Sequence, residues 1–149
     1  MSIKDEIRDA LTEALKSGEI QRKSTLRMAL ASIKNAEVEA RGELDEDLVL
    51  NIVQKEVKAR QETIESAKQA KRPDLIEKAE QEIKILNEFL PQQLSAEELR
   101  ALVQEAIQES GASSMSEIGK IMGALMPKIR GRADGKQANQ IVRELLGAD

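Results

Sequence analysis

Toward the end of this chain, Lys128, Arg130, Arg132 and Lys136 place four positive charges within nine residues, around a turn bracketed by Gly131 and Gly135. Glycine lets a backbone turn tightly and lets a bulky partner come close to it. Asp134 stands where the N-cap of a following helix belongs, so Lys136 falls in that helix's first turn. Backbone N–H groups there have no partner within the helix. Cations beside such groups suit phosphate oxygens. The same residues also read as an ordinary helix turn with solvated charges, in which Asp134 only caps.

A second basic row, Lys23, Arg27, Lys34 and Arg41, has intervals of four, seven and seven and so shares one helix face. Glu37 and Glu39 lie close by in sequence, and a salt-bridged surface is the expected reading.

Catalytic chemistry is hard to build from what remains. The chain has no Cys and no His, which removes thiol nucleophiles, imidazole bases, the usual zinc ligands and disulfides. Phe89 is the sole aromatic residue, too little for a base-stacking platform. Carboxylate pairs such as Glu43 with Asp47 read as the solvated face of an acidic helix. Asp45-Glu46-Asp47 lacks the loop glycine and spacing of a calcium site. Ser24 and Thr25 sit inside a predicted helix with no base beside them, and Met115, Met122 and Met126 read as core packing. No catalytic residue, metal or cofactor is expected.

The elements that must hold the basic turn are helical. Gly and Pro total 11 of 149 residues, which favours long helices over many short strands. Seven helices can be punctuated. The first spans 2–17 and stops at Gly18; the second spans 19–40, with Leu26, Leu30, Ile33 and Ala36 on one stripe. The third opens in the acidic run Asp45-Glu46-Asp47 and carries Val49, Val53, Val57, Ile64 and Ala67. Pro73 suits the first turn of a fourth, whose narrow seam is Ile76, Ala79, Ile83, Leu86 and Leu90. Helices three and four form an antiparallel hairpin. After Pro91, Leu94-Ser95-Ala96-Glu97-Glu98-Leu99 combines a capping box with a hydrophobic staple and opens helix five, which Gly111 stops. Ser114 with Glu117 predicts a second capping box for helix six. Helix seven follows Asp134 and carries Ala138, Ile141, Val142, Leu145 and Leu146. The expected architecture is all-α: an N-terminal four-helix unit over 1–92 with a long helical hairpin, and a compact three-helix unit over 93–149.

Charge is unevenly divided between these parts. Residues 1–110 hold 17 Lys and Arg against 23 Asp and Glu, whereas residues 111–149 hold 6 against 4. The chain is thus acidic with a basic end, although its overall charge of −4 argues against a general nucleic-acid coat protein. No stretch approaches the roughly 20 apolar residues of a membrane span. Met1-Ser2-Ile3-Lys4-Asp5-Glu6 has no apolar signal core. A cytoplasmic protein without membrane partners is expected.

The run Gly119-Lys120-Ile121-Met122-Gly123-Ala124-Leu125-Met126-Pro127-Lys128-Ile129-Arg130-Gly131-Arg132-Ala133-Asp134-Gly135 resembles the C-terminal motif of the GatB/YqeY family. Leu90-Pro91-Gln92-Gln93-Leu94-Ser95 and Ser24-Thr25-Leu26-Arg27-Met28 extend the resemblance over essentially the whole chain. The resemblance implies a two-part helical fold whose C-terminal unit is similar to the tail domain of the GatB subunit of glutamine-dependent tRNA amidotransferase. There the tail contacts the tRNA body, while amide transfer and ATP use belong to other, larger domains. A family label of carbon–nitrogen ligase with glutamine as amido-N-donor would be carried by association only. Residue by residue, the resemblance makes Lys120, Lys128, Arg130, Arg132 and Lys136 the RNA-facing candidates, with Gly131 and Gly135 shaping the turn. The expected partner is tRNA or another folded RNA. The rival readings are a protein–protein adaptor without an RNA role and an accessory regulator of an amidotransferase.

Overall fold

Several helix ends in this protein fall where short polar side chains and glycines put them. The computed structural model describes residues 1–147; the last two residues of the expected second unit lie outside them. Among the described residues there are seven α-helices: α1 (Ile3–Ser17), α2 (Ile20–Ala40), α3 (Glu46–Gln69), α4 (Pro73–Asn87), α5 (Ala96–Ser110), α6 (Ile118–Ile129) and α7 (Gly135–Leu145). The described residues contain no strand, and the fold is all-α as expected. Ser2 and Asp45 cap α1 and α3 by accepting from the N–H groups of Asp5 and Leu48. Gly18 and Gly111 end α1 and α5 in the left-handed conformation. No helix among the described residues is long and apolar enough to cross a membrane.

Contacts gather into two compact units, Met1–Pro91 and the chain from Gln92 onward. In the first, α1 and α2 form one hairpin and α3 and α4 another, around Ile7, Ala10, Leu26, Ala29, Ile33, Val49, Val53, Val57 and Leu86. The predicted stripes supply most of this core. Leu90 differs: α4 ends at Asn87, so Leu90 packs against the core from the turn beyond the helix.

One member of the α3 stripe is charged. Arg60 sits in step with Val53, Val57 and Ala67 and is only 7% exposed. Its Nη1 donates to Glu56 Oε2 at 2.8 Å and to the Glu56 carbonyl at 2.9 Å, and its Nε donates to Glu82 of α4. Glu56 in turn accepts from Ser32 Oγ of α2 at 2.6 Å. Burial pulls the Arg60 pKa down, but hydrogen bonds to Glu56 and Glu82 more than reverse this, so its net direction is up. A buried cation is tolerated because its donors are met by carboxylates from two helices.

The second unit packs α5, α6 and α7 around Leu99, Val103, Ala106, Ile121, Leu125, Ile129, Ala138 and Val142. Both bonds of the Ser95–Glu98 capping box form, and the staple partners Leu94 and Leu99 meet in this core. The capping box predicted at Ser114 does not form. A short 3₁₀ turn, Met115–Glu117, precedes α6 and places the Glu117 carboxylate on the N–H of Ser113 at 2.9 Å. Ser114 Oγ pairs with Ser116 Oγ at 2.7 Å instead of capping. Glu117 thus meets a donor four residues back, the Ser113 N–H, and not the Ser114 N–H three residues back that a capping box uses.

Candidate nucleic-acid interface

The basic turn begins at the C-terminus of α6. Pro127, in the last turn, has no N–H to give, and the helix ends at Ile129. The buried Ile129 carbonyl then accepts from both Arg132 N at 2.8 Å and Ala133 N at 3.0 Å. Gly131 lies between them at φ 75°, a left-handed conformation that costs other residues about 1–2 kcal/mol. Asp134 caps α7 by accepting from Lys136 N at 3.2 Å.

A second segment holds this turn in shape. Gln93 Nε2 donates to the Gly131 carbonyl at 2.7 Å, and Leu94 N donates to the Arg132 carbonyl at 2.9 Å. Arg132 Nε answers by donating to the Gln92 carbonyl at 3.1 Å. Two stretches that the sequence offers separately, Gln92-Gln93-Leu94 and the glycine turn, therefore clasp each other. Sequence reasoning missed the glutamines as part of the site. No periodicity marks them, and the contact is made across 38 to 40 residues of chain.

The candidate cations have different surroundings. Arg130 and Lys136 are exposed on either side of the turn. Arg132 has one donor engaged with Gln92, while the rest of its guanidinium reaches a half-exposed surface. Lys128 points back to α5, where Glu109 lies at 3.4 Å and Glu105 at 4.0 Å, so acidic neighbours offset its charge. Lys120 is exposed but stands eight residues up α6 from Lys128, about 12 Å along the axis. The turn thus gathers Arg130, Arg132 and Lys136, and does not gather Lys120.

The glycines differ as well. Gly131 is required by its backbone angle, whereas Gly135 is the first helical residue of α7 and a Cβ there would meet only Met126, at an ordinary 3.9 Å. Two other glycines have a clearer bearing on approach. Gly119 and Gly123 lie on the exposed side of α6, and a Cβ at either would have nothing within 4 Å. With Ala124 they leave a low surface beside Lys120, bare of large side chains. Asp134 places a carboxylate at the N-terminus of α7, so attraction of an anion to the turn rests on the side-chain cations more than on helix N–H groups. Among the described residues no group of three or more His, Cys, Asp or Glu could hold a metal ion.

Comparison with known proteins gives this geometry its relatives. Altered inheritance of mitochondria protein 41, mitochondrial, of Pyrenophora tritici-repentis is 29% identical over 143 residues, covering 93% of this chain and 77% of its own length. The protein of that name in Lachancea thermotolerans is 36% identical over 83 residues, 55% of this chain and 44% of its own. One of the subunits of the glutamyl-tRNA(Gln) amidotransferase of Thermococcus gammatolerans is 40% identical over 57 residues, 36% of this chain but 9% of its own length. The expected cytoplasmic placement is corrected by the first two, which are named as mitochondrial proteins. That placement rests on the lack of a membrane-length apolar stretch and of an apolar signal core at the N-terminus, and neither separates one aqueous compartment from another. The relationship to the amidotransferase, in turn, is distant and regional. Residues 4–146, nearly the whole length, match the family described as Yqey-like protein, and the chain belongs to it.

Proposed function

We propose that the unit formed by α5, α6 and α7 is a binding module for folded RNA, tRNA foremost, in which the clasped turn meets phosphates and the bare face of α6 admits the bulk of the nucleic acid. The carrying observation is the set of outward cations Arg130, Arg132 and Lys136 on a turn fixed by Gln93 and Leu94. A rigid cationic turn loses little entropy on meeting an anion. Support also comes from the distant likeness to part of a glutamyl-tRNA(Gln) amidotransferase. With a single aromatic in the chain, at position 89, the reading is of shape and phosphate contact and not of base stacking. No catalytic group is invoked.

Fluorescence anisotropy with labelled tRNA at two salt concentrations tests this reading. Arg130→Glu/Lys136→Glu is the informative variant, because it leaves the Arg132–Gln92 bond of the clasp in place. Wild type is expected to bind more weakly at higher salt, and the variant to lose about tenfold or more at low salt. Absence of wild-type binding at low salt, or equal binding by the variant, overturns the proposal.

A further inference from the structure

The basic row on α2 is not the salt-bridged surface that the sequence suggests. Glu37, the nearest acidic candidate, is taken by Lys4 of α1, whose Nζ donates to both carboxylate oxygens at 2.9 and 2.8 Å. That hydrogen bond, with lesser help from Lys4 and Lys34 as charges, holds the Glu37 carboxyl below its usual value. Among the described residues, the side chains of Lys23, Arg27, Lys34 and Arg41 form no ion pair. They run in line for about 27 Å, ending at the C-cap Arg41.

Apolar side chains stand beside this row on the same outer surface. Ile20 is 76% exposed and Val38 65%, with the exposed Ala31 between them. At 100° per residue these three fall about 20–80° from the cations and about 120–180° from the buried Leu26, Ala29 and Ile33. The helix is therefore apolar on two sides, one inside the unit and one outside it. Its outer apolar residues are eleven and seven apart, intervals that keep step with the cations.

We infer that this outer face of α2 is a docking surface for an acidic amphipathic helix of a partner protein. Carboxylates repeating every seven residues would meet Arg27, Lys34 and Arg41, while an adjoining apolar stripe would cover Ile20, Ala31 and Val38. Charge complementarity names the occupant's sign, and the apolar row names its class. Phosphates offer nothing to cover Ile20 and Val38. A lipid surface needs a continuous apolar face, and that of α2 is already buried in the core.

The test uses the full chain and labelled peptides as long as α2, one with a leucine stripe and glutamates at heptad spacing, the other with lysines in place of the glutamates. Wild type should bind the acidic peptide and not the basic one. Arg27→Glu/Lys34→Glu/Arg41→Glu should weaken the acidic peptide by about tenfold or more and acquire binding of the basic one. Ile20→Ser/Val38→Ser should weaken the acidic peptide by about tenfold with its salt dependence unchanged. Equal helicity by circular dichroism shows that each variant is folded. Failure of wild type to bind the acidic peptide overturns the inference, as does indifference to the charge reversal. Loss of tRNA binding in the α2 reversal, with no effect of Ile20→Ser/Val38→Ser on any probe, assigns the face to RNA and also overturns it. Arg130→Glu/Lys136→Glu should leave peptide binding intact, so this inference and the RNA reading of the other unit fail separately.

Discussion

Arg60 in the first unit and Arg130 in the second carry the same charge in opposite circumstances. Arg60 lies in the core stripe of α3, bound by Glu56 and Glu82, and its guanidinium is closed to any partner. Arg130 stands exposed at the end of α6, beside a turn that is held mostly by neutral groups, the amide of Gln93 and backbone N–H and carbonyl groups, with one bond from Arg132. In the core of the first unit a cation joins helices; at the turn of the second, mainly uncharged bonds give the shape, and Arg130 and Lys136 stand exposed. A count of basic residues does not show this division; position relative to the apolar stripe does.

The largest expected effect comes from the buried cation. Arg60→Ala leaves Glu56 and Glu82 without their partner and is expected to cost about 3–5 kcal/mol of stability by denaturant unfolding. It should change tRNA affinity in the intact fold by less than about twofold. If it weakens tRNA binding as strongly as the Arg130→Glu/Lys136→Glu variant while the protein remains folded, the separation of the two roles collapses.

Gly131→Ala sharpens the other side of the comparison. The left-handed angle alone predicts a loss of about 1–2 kcal/mol, seen as a lower thermal midpoint. The clasp to Gln93 and Leu94 should loosen with it, so that tRNA affinity falls although no charge has changed. Gly135→Ala lacks that strain and serves as the control.

A smaller effect of opposite sign is expected on α6. Gly119→Ala and Gly123→Ala fill no occupied space and should each stabilise the helix by about 0.5–1 kcal/mol. On the proposed interface they should also reduce tRNA affinity, because a methyl group raises the bare surface. A gain in stability with unchanged affinity would remove the α6 face from the interface.

The smallest effect is electrostatic. Because Lys4 holds the Glu37 carboxyl below its usual value, the pair's contribution is fully present above the unfolded value, about 4.3, and is lost as pH falls through the folded one. Thermal midpoints of wild type and Glu37→Gln should therefore differ at neutral pH and converge in acid. A difference that stays constant down to about pH 3 would show that the pair does not carry that dependence.

Much of the fold was legible because it depends on local rules. Ser95 with Glu98, Asp45, Asp134, Gly18 and Gly111 each act within a turn of themselves, and the stripes of α3 and α4 follow helical spacing. Arg60 was not legible, since arginine on an apolar stripe ordinarily reads as an interruption and not as a core residue. The candidate site was legible in its charges and not in their availability. Whether Lys128 faces α5, or Glu37 faces α1 and not its neighbours on α2, depends on helices remote in sequence. The failed capping box at Ser114 has the same lesson at short range, because one 3₁₀ turn was enough to change the donor that Glu117 meets.

The clasp between Gln93 and Gly131 has a bearing on how the molecule matures. Its two halves lie 38 residues apart, one at the start of their unit and the other just before its last helix. Closing so long a loop gains nothing until the intervening helices have packed. The turn therefore takes its final shape only once α5 and α6 have packed, and a partly made chain at the ribosome, surrounded by RNA, would display the cations before it displays the surface that organises them.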